Sequence, residues 1–155
     1  MEQLIPWLVF CLAFLAFCFL RPNGARIFAG IFFIIMALGV NALLSVVNPE
    51  MFVAMGTDAP LIPLYAWFFG QVVAAAPAVV GLLAASGEIA VGLLILSHGR
   101  GVKLGLLGAI VFLLAITPLG VWTLPNPLMA LGLARLLARD YPRSFWHSGW
   151  RPVRG

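Results

Sequence analysis

The sequence predicts an all-α integral membrane protein, and three observations predict it. Of the 155 residues, 63% are hydrophobic and only 9% are charged, where a soluble domain carries about 25% charged residues. Several apolar stretches reach the length of a bilayer crossing, about 20 residues and roughly 17 at the low end. The basic residues stand only beside those stretches. So few charges cannot cover a water-facing surface, and the outside of the chain must meet lipid. This excludes a water-soluble domain. The net charge of +4 does not point to nucleic acid, because that needs a basic patch on a wet surface.

The elements follow in order. The opening "MEQLIPWLVFCLAFLAFCFLRPNG" has neither a positive leader nor a small-x-small cleavage site, so residues 4–20 are expected as a membrane helix. Cys11 and Cys18 lie about 10 Å apart along one face of it, too far for a disulfide, and read as small apolar packing residues. Residues 27–47 form the second span. The segment 48–76 is mostly apolar but is broken by Pro49, Pro60 and Pro63. Its Tyr65, Trp67, Phe68 and Phe69 are residue types of an interfacial belt. It is expected to lie at the outer surface as a bilayer anchor or, more sharply, as a lid or docking surface. The third span is 77–97. The fourth, 102–120, carries Pro118, with Thr117 placed to serve a carbonyl that the proline frees. "TLPNP" reads as a turn, and Pro127 suits the first turn of a last helix. That fifth span, 124–138, is short, and Arg135 inside it would have to snorkel to the surface.

Charge sets the orientation. With five crossings, Arg21, Arg26, Arg100, Lys103, Arg135, Arg139, Arg143, Arg151 and Arg154 all fall on one side, while Glu2, Glu50 and Asp58 fall on the other. The positive-inside rule makes the basic side cytoplasmic. The expected protein is a multi-pass one of a bacterial inner membrane, with its N-terminus outside and its C-terminus in the cytoplasm. Arg21, Arg26, Arg100, Lys103, Arg139, Arg143, Trp146 and Trp150 are expected as membrane-surface anchors, and the basic-aromatic tail 139–155 as a contact for anionic headgroups.

Inside the membrane one ionisable side chain stands out: Glu88, near the middle of "GLLAASGEIAVGLLILS". A carboxylate at that depth costs roughly 2.5–3.5 kcal/mol, offset by the segment's aliphatic residues at about 0.3–0.6 kcal/mol each. Its helical neighbours Gly81, Ala84, Ala85 and Gly92 are small, which marks a face approached closely by another helix. A matching stripe of Gly30, Ala37, Asn41, Ser45 and Asn48 runs along the second span. Gly101, Gly105 and Ala109 repeat the small-xxx-small spacing on the fourth. Gly30, Gly92, Gly101 and Gly105 are therefore expected at helix contacts. Glu88 and Asn41 are the candidate ligand or proton site, or else one interhelical hydrogen bond and nothing more. Neither HExxH, nor a glycine-rich phosphate loop, nor a Ser–His–Asp set is present, and the two histidines stand near helix ends. No metal, cofactor or catalytic residue is expected.

"ARIFAGIFFIIMALGVN" and "GEIAVGLLILSHGRGVKLGLLG" resemble helices of the DoxX-like family of small membrane proteins, over about residues 26–138. The resemblance implies a DoxX-like four-helix transmembrane bundle, here with an extra N-terminal helix, and it carries over Arg26, Gly30, Glu88 and Gly92. A lysine often found near the end of the family's first core helix is absent, and Asn41 stands in that neighbourhood. The family is named for a subunit of a thiosulfate:quinone oxidoreductase. The first expected function is thus an accessory or scaffold subunit of a larger bacterial membrane complex, respiratory or otherwise redox-linked, without a redox centre of its own. Its partners would be lipid and other membrane subunits. The alternative is a binder or carrier of a small lipophilic molecule such as a quinone, with Glu88 and Asn41 in the pocket. A membrane enzyme is third.

Overall fold

The structure is a computed structural model that describes residues 3–148. Among them helix is the only regular secondary structure, and the fold is that of an α-helical membrane protein. Helix α1 is Leu4–Leu20. Helix α2, Pro22–Val47, starts ahead of the expected 27 because Pro22 fits a first helical turn. Within it, Ala37–Leu44 widens to π geometry. Helices α3, Pro49–Thr57, and α4, Pro63–Phe68, occupy the proline-broken segment, and α4 runs on as a π turn through Phe69–Val73. Helix α5 is Pro77–Leu96. Helix α6, Arg100–Ile116, ends in a 3-10 turn at Thr117–Leu119. Helix α7 is Asn126–Leu137, and α8 is Phe145–Ser148.

Three helices are long and apolar enough to cross a membrane: α2, α5, and α6 with its 3-10 extension. Helix α1 has 17 residues, at the lower limit. Helix α7 has 12, about 18 Å at 1.5 Å per residue, shorter than the expected span 124–138. Pro125 and Pro127 bound its start. Its two ends nonetheless sit at opposite ends of the bundle. Asn126 accepts a hydrogen bond from Trp7 at the start of α1, while Tyr141, just past its C-terminus, lies under Arg26 near the start of α2.

Helices α1, α2, α5, α6 and α7 follow one another around the bundle, and α1 closes the circle by packing against both α2 and α7. It is no appendage to a four-helix core: Cys11, Phe14 and Cys18 are core residues beside Met129 and Leu133. The seam between α2 and α5 is the tightest. A methyl group at Gly92 would lie 2.7 Å from the Gly30 carbonyl oxygen, and one at Gly30 would lie 2.7 Å from Leu96 Cγ. Further along, Gly81 takes the side chain of Ser45 with no room for a Cβ. Gly105 brings α6 against α5, where a Cβ would be 2.7 Å from the Ile95 backbone nitrogen. Gly101 differs from these. It meets Ser97 and Leu94 across the tight turn between α5 and α6. In that turn Gly99 adopts φ +58°, a left-handed conformation that favours glycine.

At the basic end, Arg21, Arg100, Lys103, Arg139, Arg143 and Trp146 are exposed, and Trp150 lies outside the described residues. Arg26 departs from the expected anchor role: it is fully buried. Its Nη1 donates to the carbonyls of Ile95 and Ser97 at 3.2 and 2.8 Å, and its Nη2 to that of Arg143 at 3.4 Å. The Ile95 and Ser97 carbonyls belong to the C-terminal end of α5, where the helix dipole is negative and a cation is favoured. The guanidinium also lies 4.9 Å from the centre of the Tyr141 ring, and Tyr141 in turn donates to Leu136 O at 3.0 Å. Burial pushes the Tyr141 phenol above its ordinary range, and the Arg26 charge opposes that shift. Arg135 sits over the Phe19 ring at 5.4 Å.

Two outcomes follow from this packing. Gly30→Leu or Gly92→Leu should prevent assembly of the bundle in detergent, since neither neighbouring backbone can retreat. Leu12→Ala and Val111→Ala, at exposed positions, should leave the elution profile and Tm unchanged. Arg26→Met keeps the volume but strips three carbonyls of their donor. It should lower Tm by several degrees and open residues 139–144 to protease, whereas Arg21→Met at the exposed neighbour should do neither.

Candidate functional site

The end of the bundle opposite the arginines is packed differently. Its residues are large and aromatic, and they leave space. Trp7 and Phe10 stack at 4.9 Å, Phe10 meets Phe32 at 5.4 Å, and Phe33 meets Phe112 edge-on at 6.0 Å. Between these rings lies a cavity of about 530 Å³, walled by α1, α2, α6 and the start of α7, with Met55 of α3 and Glu88 of α5 completing it. A second cavity of about 440 Å³ lies beside it under α3 and α4, and Asn41, Met55, Phe112, Ile116 and Leu119 line both.

Glu88 and Asn41 meet in the wall of the first cavity. Asn41 Nδ2 donates to Glu88 Oε2, and Glu88 is 4% exposed. Two local features bring them together. The close seam on either side, at Gly30–Gly92 and at Ser45–Gly81, holds the two helices near enough for short side chains to touch. The π stretch Ala37–Leu44 contains Asn41. It widens the turn, as π-bulges at functional sites often do, so Asn41 faces both the carboxyl and the cavity. The sequence leaves Glu88 with no cation at its depth; the structure gives it a neutral amide from its own chain.

The other polar side chains of the wall come from Gln3 and Trp7 at the start of the chain and from Trp122, Thr123 and Asn126 around the start of α7. Thr123 and Asn126 are 1% exposed. Trp7 Nε1 donates to Asn126 Oδ1 at 2.8 Å. Sequence reasoning missed Trp7 and Asn126, because the pair is 119 residues apart and "TLPNP" reads locally as a turn. The only signal was an amide within an otherwise apolar, proline-rich stretch.

The proline-broken segment covers the second cavity. Tyr65 OH donates to Ala115 O, and Leu61 N–H to Pro118 O at 2.9 Å, so α4 is tied to the end of α6. Thr117 Oγ1 donates to Leu113 O at 2.7 Å, not to the carbonyl that Pro118 frees; that one, Leu114 O, accepts from the Thr117 backbone N–H. Gly56 of α3 lies flat against the Phe69 ring. The segment is thus docked on the bundle, while Leu61, Ile62, Leu64 and Trp67 remain exposed, as apolar groups facing lipid would be.

Among the described residues no three His, Cys, Asp or Glu side chains gather as a metal group would. What the arrangement offers chemically is an apolar, ring-lined chamber with a carboxyl–amide pair on one wall and a second amide on another. Comparison with protein-family models, curated proteins and solved structures finds no match for the chain.

Proposed function

We propose that this membrane protein binds a small lipophilic molecule, such as a quinone, in the chamber at the non-basic end of the bundle, with Glu88 and Asn41 as its polar contact. The observation that carries the reading is the coincidence of the one intramembrane carboxyl with the wall of a ring-lined cavity. Ligand pockets are typically about 300–1,000 Å³, mostly apolar, with a few placed polar groups. A carboxyl kept only for helix packing has no need of a chamber beside it. Entry would run under α3 and α4, where the two cavities share a wall.

The resemblance to DoxX-like proteins favours a second reading, an accessory or scaffold subunit of a larger bacterial membrane complex. All four residues that carry the resemblance lie along the α2–α5 seam: Gly30 on Gly92, Glu88 on the same face, and Arg26 at the seam's end. The two readings are compatible, since a subunit can hold a lipophile for its complex.

Native purification in mild detergent, followed by mass spectrometry of the extract and of the protein, tests the readings. The ligand reading expects about one lipophilic molecule per chain in wild type and its loss in Glu88→Leu, with Glu88→Gln intermediate. Stoichiometric partner chains without any such molecule would favour the subunit reading instead. The orientation is also part of this proposal. In a background free of Cys11 and Cys18, Asp58→Cys should react with an impermeant maleimide on intact cells. Asp140→Cys should react only after the cytoplasmic face is opened; its labelling from outside would reverse the topology.

A further inference from the structure

Apart from exposed Gln3 and half-buried Trp122, the donors of the chamber wall can be followed group by group. Thr123 Oγ1 is used within its own turn: it accepts from Gly120 N–H at 3.1 Å and has the Thr117 and Gly120 carbonyls each at 2.7 Å for its single proton. Asn41 Nδ2 donates to Glu88. Trp7 Nε1 donates to Asn126 Oδ1. This last bond also orients the Asn126 amide. An indole N–H can only donate, so the group facing it must be the oxygen. The Nδ2 of Asn126 is then left with two hydrogens and no acceptor, in a side chain 1% exposed, and Asn126 is part of the chamber wall. Buried donors are nearly always paired in native structures. The wall nearby is built of rings, Trp7, Phe10 and Trp122 among them, which favour flat partners that stack or meet them edge-on.

Building on the ligand-binding reading above, we propose that Asn126 selects the ligand: its Nδ2 donates to a carbonyl-type acceptor on a ring-bearing lipophilic molecule, and Trp7 is the positioning residue that aims it. A hydrocarbon of the same shape would fill the chamber but leave this donor unpaired. A site built to hydrogen-bond a polar group discriminates strongly against the analogue that lacks it. Glu88 and Asn41 form a second polar contact, already joined to each other, whereas the Asn126 amide hydrogens have no acceptor within the chain.

The test uses full-length protein in nanodiscs and two probes with the same fused-ring frame, menadione, which carries two carbonyls, and 2-methylnaphthalene, which carries none. Binding is read as uptake over empty nanodiscs. Wild type should hold menadione about tenfold more tightly than the hydrocarbon. Asn126→Leu should weaken menadione about five- to tenfold and leave 2-methylnaphthalene unchanged. Because that variant also orphans Trp7 Nε1, the double variant Trp7→Phe/Asn126→Leu removes both partners together and carries the test if the single variant fails to fold. It should show the same loss of preference. A menadione preference that persists in the variants, or that is absent from a wild type binding both probes equally, overturns the role of Asn126 and leaves the chamber as a lipophile site. A wild type that takes up neither probe overturns both.

Discussion

Everything else in this protein depends on the approach of two helices with almost nothing between them. At Gly30–Gly92 the backbones of α2 and α5 touch, and at Ser45–Gly81 they nearly do. In lipid there is no hydrophobic gain from helix association, so close van der Waals contact of this kind is what holds a bundle together. The seam also sets the chemistry. It brings an asparagine and a glutamate within hydrogen-bonding reach of each other between its two glycine contacts. At its basic end it lays Arg26 across the last carbonyls of α5.

The bundle is consequently built in two styles. The basic half is filled: Ala25, Ala29, Ile95, Val102, Leu106 and Leu136 are fully buried, and a guanidinium ties the post-α7 segment to the helix ends. In the other half, bulky rings take the place of small residues, packed on one another at 5.4 and 6.0 Å between centroids, and the cavity lies among them. The π stretch of α2 adds to this by turning Asn41 inward. A chamber follows from the residue types as much as from the helix positions.

Much of the seam was legible in the sequence, because helix faces are periodic. Glu88 with Gly81, Ala85 and Gly92, and Gly30 with Ala37 and Ser45, can be read off a spacing of three and four. What was illegible has a common cause: it depends on contacts between distant residues. A lone arginine beside an apolar run looks the same whether it faces headgroups or three carbonyls 69 to 117 residues away, and Arg26 is of the second kind. Nothing local marks Asn126 as the partner of Trp7. Helix α1 reads as an addition only through the DoxX-like resemblance, which begins after it, and its uniformly apolar composition gives no face to declare that it packs between α2 and α7. The shortness of α7 was legible, and the structure trims the expected span further, to 12 residues.

The burial of Arg26 has a consequence for how the chain comes into being. When α2 leaves the ribosome, the carbonyls that will receive its arginine belong to residues 95, 97 and 143, which have not yet been synthesised. Until α5 is inserted, the charge has no protein partner and must stay hydrated at the membrane surface, as bare charges in a bilayer do. The third carbonyl arrives only after α7. Biogenesis therefore ends where the sequence begins, with an early residue withdrawn from water once the last helices are in place, so that a chain truncated before α5 would be left floating shallow in the bilayer on its own unclaimed arginine.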